Sequence, residues 1–148
     1  RRVSHALVSL ADGAVAIMFG SDTYMRDLGD MHLSYDDGAT WVRAKTGGVG
    51  LSARARFGVF ATGMSASTSI LSDGIVGAGL TSTLASTVTV IAGWQNSASL
   101  DDALRWSQST GAWEALTPSR SWTPRAFHGC VALPSGDVVI LAGTDHIV

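Results

Sequence analysis

The sequence predicts an all-β chain made by repeating one antiparallel unit, and three observations predict it. First, residues 2–22 (RVSHALVSLADGAVAIMFGSD) align without a gap on residues 125–145 (RAFHGCVALPSGDVVILAGTD). The shared positions are Arg2/Arg125, His5/His128, Val8/Val131, Leu10/Leu133, Gly13/Gly136, Val15/Val138, Ile17/Ile140, Gly20/Gly143 and Asp22/Asp145. Self-similarity of this kind is the sequence mark of a repeat architecture. Second, an Asp stands 11 residues before a Trp twice, at Asp30/Trp41 and at Asp102/Trp113. Third, the 148 residues are 46% hydrophobic and only 15% charged, with 17 Gly. A typical globular chain is about 25% charged, so this balance suits strands and turns rather than long solvated helices.

Each element follows from its local pattern. Residues 5–10 and 128–133 are short apolar runs with strand-like alternation. The turns Ala11-Asp12-Gly13 and Pro134-Ser135-Gly136 follow, where Gly permits positive φ. Residues 15–19 and 138–142 are nearly continuous apolar runs closed by Gly20 and Gly143. Five residues are too few for a helix, and a run apolar on both faces fits a strand covered on both sides. Between Asp30 and Trp41, and again between Asp102 and Trp113, the pattern reads strand, polar turn, strand.

The unit is therefore two hairpins, four strands in roughly 45–50 residues, a period that suits a propeller blade. The expected division is a blade over residues 1–53, a second over 54–117 and half a blade over 118–148. In the second unit Arg54 or Arg56 takes the place of Arg2, and a Ser/Thr/Gly-rich insertion at residues 65–87 separates the first two strands. About two and a half blades of a partial β-propeller are expected. A closed propeller typically needs at least four blades, so the remaining blades are expected in the same, longer chain.

Composition narrows the function. The net charge is −2 and the 10 Lys and Arg are dispersed, so no basic footprint for nucleic acid is present. Residues 74–94 form an uncharged run of membrane-spanning length, but its Ser, Thr and Gly content and its likeness to residues 138–143 favour a strand; no membrane span is expected. The lone Cys130 gives no disulfide framework and reads as a small core residue. Asp36 and Asp37 beside Gly38 lack the ligand spacing of a calcium loop. Gly74, Gly77 and Gly79 lack the Lys of a phosphate loop. No metal, cofactor or catalytic residue is expected.

The phrase Pro124-Arg125-Ala126-Phe127-His128 followed by ALPSGDVVILAGTD resembles the opening hairpin of a kelch-type β-propeller repeat, and Asp102 to Trp113 resembles its closing hairpin. The family usually has two glycines after the second strand; Phe19-Gly20, Ala92-Gly93 and Ala142-Gly143 keep one. Ser34-Tyr35-Asp36-Asp37-Gly38-Ala39-Thr40-Trp41 is similar to the Asp-box of sialidase-like propellers, a folding element there. The resemblance implies a structural role for Arg2, His5, Gly20, Asp36, Gly38, Trp41, Gly93, Trp113, Arg125, His128 and Gly143. The histidines are expected buried and bonded to a neighbouring backbone, the tryptophans packed between blades, and Arg2 and Arg125 bridging a blade to its neighbour's loop.

Functional diversity is expected in the loops after the second strands, residues 21–29 and 94–101. Tyr24, Met25, Arg26 and Trp94 are types enriched at protein-contact hot spots. With Asp22, Asn96 and Asp145 they form the expected binding set. The function expected is a non-catalytic interaction module whose partner is another protein. The alternative is a fragment of a sialidase- or galactose-oxidase-like enzyme whose catalytic residues lie on other blades.

Overall fold

A computed structural model describes residues 1–49, 52–63, 68–70, 86–116 and 122–145. The described residues form strands, turns and loops, with antiparallel pairing throughout except at one two-residue edge strand. The first sheet is a meander of β1 (Ala6–Ser9), β2 (Val15–Met18), β3 (Met31–Ser34) and β4 (Val42–Arg43), in that spatial order. Its first turn is held locally: the Gly13 N–H donates to the Leu10 carbonyl at 3.0 Å, and the Ala14 N–H to Asp12 Oδ1 at 3.0 Å.

The second sheet has six strands rather than the four expected. Its order is β5 (Gly47–Gly48), β10 (Ala112–Ala115), β9 (Ala98–Ser107), β8 (Thr87–Gln95), β6 (Gly58–Thr62), β7 (Thr68–Ile70). The four central strands are the expected unit. The two extra ones lie along its edges, where unpaired N–H and C=O groups invite pairing. β7 comes from within the expected insertion; residues 65–67 and 71–85 of that insertion lie outside the described residues. β5 comes from the linker after the first sheet and pairs with β10 in parallel. Only glycine fits at Gly48: its φ is +95°, and a Cβ there would sit 2.1 Å from the Trp113 carbonyl oxygen.

The expected loop at residues 94–101 is also paired. β8 and β9 continue past a bulge at Ile91/Gly93 and close on a two-residue turn, Asn96-Ser97, with φ of +47° and +65°. Both central residues left-handed is the turn whose twist matches a hairpin. The third sheet is the hairpin of β11 (Gly129–Ala132) and β12 (Val138–Leu141).

The second sheet lies between the other two. One core joins Ala6, Val8, Met18 and Met31 of the first sheet to Phe57, Val59, Val90, Leu104, Trp106 and Trp113. The other joins Phe60, Ile91 and Ala103 to Cys130 and Ala132. Alternation along β6 sends Val59 and Ala61 into the first core and Phe60 into the second, the two-faced burial that its continuous apolar run requires. Each fully buried large side chain contributes about 1.5–3 kcal/mol. Trp113 packs between the first and second sheets, 5.7 Å from the Phe19 ring. Trp41 does not: it is 39% exposed, and its indole N–H donates to Gly38 in its own turn at 3.0 Å.

Candidate functional site

One bonding pattern recurs in every unit: an arginine side chain donates to the carbonyl just before a left-handed glycine. Arg2 donates to the Phe19 carbonyl at 3.0 Å and forms a two-pronged pair with Asp30, both prongs 3.0 Å. Arg54 donates to the Ala92 carbonyl at 3.1 Å and grips Asp102 with two 2.8 Å bonds. Arg125 donates to the Ala142 carbonyl at 3.0 Å. The three accepting residues are left-handed, with φ of +54°, +54° and +59°, and a left-handed Gly20, Gly93 or Gly143 follows each. The residue before each of these glycines is thus left-handed too, and the arginine ties it down. Arg54, not Arg56, is therefore the counterpart of Arg2. Rather than making the expected bridge to a neighbour, the side chains of Arg2 and Arg125, like that of Arg54, bond within their own unit, Arg125 to Thr123 and Ala142. Their neighbours are reached through backbone instead: Gly20 N–H donates to the Arg54 carbonyl at 2.8 Å, and Gly93 N–H to the Arg125 carbonyl at 3.0 Å. Gly is required there, since a Cβ on Gly20 would meet the Val3 oxygen at 2.5 Å.

Two residues past each arginine lies another left-handed residue: Ser4, Arg56 and Phe127, with φ of +51°, +58° and +55°. They form a ladder across the units. Arg56 N–H donates to the Ser4 carbonyl at 3.5 Å, and Phe127 N–H to the Arg56 carbonyl at 3.0 Å.

The clamp launches the loop over residues 21–29. Asp22 organises it. Its Oδ1 accepts the Tyr24 and Arg26 N–H groups at 2.8 and 3.0 Å, and its Oδ2 accepts Arg26 Nε at 2.8 Å. These bonds to the Arg26 backbone and side chain hold its carboxyl below the usual carboxylate range. Arg26 lies over the Tyr24 ring at 5.3 Å, and Tyr24 is 79% exposed. Ser21 donates to Asp27 at 3.0 Å.

This loop faces the β8–β9 turn across a cleft of about 490 Å³ lined by Ser21, Met25, Arg26, Asp27, Ala53, Arg56, Trp94, Asn96 and Ser97. Four residues of the expected binding set, Met25, Arg26, Trp94 and Asn96, come together here. Asp22 and Tyr24 stand beside them on the loop. Asp145 does not line the cleft; it is exposed after the Ala126/Thr144 bridge. The sequence reading missed Arg56, Asp27 and Ser97. Arg54 and Arg56 both suit the repeat position of Arg2 in sequence, and the clamp geometry distinguishes them.

Other singled-out residues lie away from the cleft. Asp36 accepts Thr40 N–H at 2.8 Å, the Thr40 hydroxyl at 2.6 Å and the Ser34 hydroxyl at 2.9 Å. Those bonds, the Thr40 ones foremost, lower its pKa, and the carboxylate closes the β3–β4 turn. His128 is buried at the face between the second and third sheets, but among the described residues neither ring nitrogen has a hydrogen-bond partner. The expected backbone bond is absent: the Ile91 backbone lies near without meeting hydrogen-bond geometry. Burial, then the Arg125 charge, push its pKa down to about 4, against a slight opposing pull from Ile91. His5 is half-buried, its Nδ1 has no partner among the described residues, and burial, then Arg2, lower its pKa. Burial pushes the Cys130 thiol up to about 12, which makes it a poor nucleophile.

Among the described residues no group of three or more His, Cys, Asp or Glu could hold a metal ion, and no helix is long and apolar enough to cross a membrane. The cleft lining offers cations, one carboxylate, hydroxyl and amide groups and an aromatic wall, a set suited to recognition. No protein-family model and no curated protein matches this chain.

Proposed function

We propose that the three sheets are successive blades of a kelch-like β-propeller, and that the chain serves as a non-catalytic interaction module binding another protein at the rim cleft. The first sheet is then a whole blade, the second a blade widened by two edge strands, and the third the opening hairpin of the next. The recurring arginine-to-carbonyl bond and the left-handed pair that ends each second strand's apolar run support this, because they recur at matched positions in all three units. The observation that carries the binding role is the cleft itself. It gathers Met25 and Arg26 from one unit against Arg56 and Trp94 from the next, with the exposed Tyr24 beside it, and aromatic and Arg side chains around a concave site are the usual anchors of protein contacts. The test is a Tyr24→Ala/Arg26→Ala/Trp94→Ala variant used as bait beside the unaltered chain. Proteins retained by the unaltered chain should be lost by the variant while its far-UV circular dichroism is unchanged. Retention of the same proteins by both would refute the reading.

A further inference from the structure

We infer that Arg56 and Phe127 form the specificity-setting subsite of this rim, and that it takes a carboxylate flanked by an apolar side chain on the partner. This rests on the interaction-module reading and names the chemistry of the partner.

The ladder makes these positions unusual. Ser4, Arg56 and Phe127 share one backbone conformation and are joined in series by their own amides and carbonyls. Their backbone is fixed whatever side chain they carry, and the three units carry three unlike ones. The arginine two positions earlier, Arg2, Arg54 or Arg125, is common to all three units; these residues are not.

Arg56 is also the cation of the cleft whose charge is not spoken for. Arg26 is paired with Asp22 at 2.7 Å, and Arg54 with Asp102 at 2.8 Å. Asp27 is engaged by the Ser21 hydroxyl. Among the described residues the Arg56 guanidinium has no ion pair and no hydrogen bond. Its one partner is the Phe127 ring, with Cζ 4.8 Å from the ring centroid. A ring attracts the charge without acting as a carboxylate-like acceptor, so the in-plane N–H donors keep their hydrogen-bonding capacity. Those donors match a carboxylate, which Arg binds through two parallel bonds. Phe127 itself is 44% exposed, which leaves room for an apolar side chain beside the carboxylate. Asp27 on the cleft wall is a like charge and opposes the same ligand, so it tunes rather than abolishes binding.

The test is a nuclear magnetic resonance titration of the 15N-labelled chain, following the Arg56 Nε–H and the Phe127 amide. Three peptides serve as probes: acetyl-Gly-Glu-Leu-Gly-amide, its Gln counterpart, and acetyl-Gly-Gly-Leu with a free carboxylate. The Glu peptide should shift both resonances and the Gln peptide should not. Binding of the third probe alone would place the carboxylate at a chain end rather than on a side chain, with the chemistry upheld. Arg56→Gln should weaken binding roughly ten- to hundredfold, the worth of a charged hydrogen-bonded contact, and Asp27→Asn should strengthen it. Amide spectra of each variant that otherwise overlay the parent's exclude unfolding. Equal binding of the Glu and Gln peptides, or no shift from any probe, overturns the subsite. If the triple variant still loses its partner in either case, the interaction-module reading survives; if it does not, that reading falls too.

Discussion

Replacing Asp102 by Ala leaves a guanidinium stranded without water. Arg54 has a side-chain exposure of 0%, and Asp102 supplies both of its carboxylate bonds. Removing one partner of a buried ion pair costs about 3–5 kcal/mol, because the remaining charge is neither solvated nor compensated. Asp102 is 33% exposed, so water entering its vacated place softens the loss toward the lower end, roughly 3 kcal/mol. The equivalent change at Asp30 strikes a pair exposed at 17% and 25%, where screening leaves roughly 1–2 kcal/mol. Urea unfolding followed by tryptophan fluorescence separates the two. With a slope of about 2 kcal/mol/M, Asp102→Ala should lower the midpoint by about 1.5 M and Asp30→Ala by less than about 1 M. Adding Arg54→Met to Asp102→Ala should recover part of the loss, because an apolar chain needs no counter-charge. An Asp102→Ala shift no larger than that of Asp30→Ala, or strictly additive Arg54 and Asp102 effects, would refute the reasoning.

Three more outcomes follow from the same geometry. His128 has a folded pKa of about 4 against an ordinary 6.5, so the unfolded chain binds the extra proton first. Stability is full above about pH 6.5, falls as pH drops toward 4, and levels off below, a loss of about 3 kcal/mol; His128→Phe, which copies Phe57 at the matched position, should flatten that slope in melts taken across pH 4–7. Ser97→Gly relieves a left-handed non-glycine residue in the β8–β9 turn and should raise the melting temperature, a gain of about 0.5–1 kcal/mol. Gly58→Ala brings a Cβ to 2.7 Å from both Cys130 Sγ and His128 Nε2 and should cost about 1–3 kcal/mol by overpacking, read as a lowered urea midpoint.

Strands proved legible where their signal was local. The alternation at Ala6–Ser9 and the apolar runs at Val15–Met18 and Val138–Leu141 appear in the sequence and in the sheets. The edge strands were not legible, because Gly47 and Gly48 carry no pattern of their own and pair only where β10 offers an unpaired edge. The extension of β8 past Gly93 was hidden by a glycine that reads as a strand end but sits in a bulge. For the site, residue type pointed to Met25, Arg26 and Trp94. Arg56 escaped because two arginines competed for one repeat position, and only the Asp102 contact shows which of them is the clamp. Asp30 and Asp102 stood out by their spacing from Trp, yet their pairing with an arginine 28 or 48 residues away leaves no trace in sequence order.

The parallel edge strand has a consequence for synthesis. Gly48 leaves the ribosome 65 residues ahead of Trp113, its partner in β10. At about 5–20 residues per second, the first sheet and its glycine tether wait roughly 3–13 seconds before that edge can close. The seam between the first two sheets is thus sewn last, after β8 and β9 have already met. A ribosome stalled near residue 110 would hold a nascent chain with its strap loose.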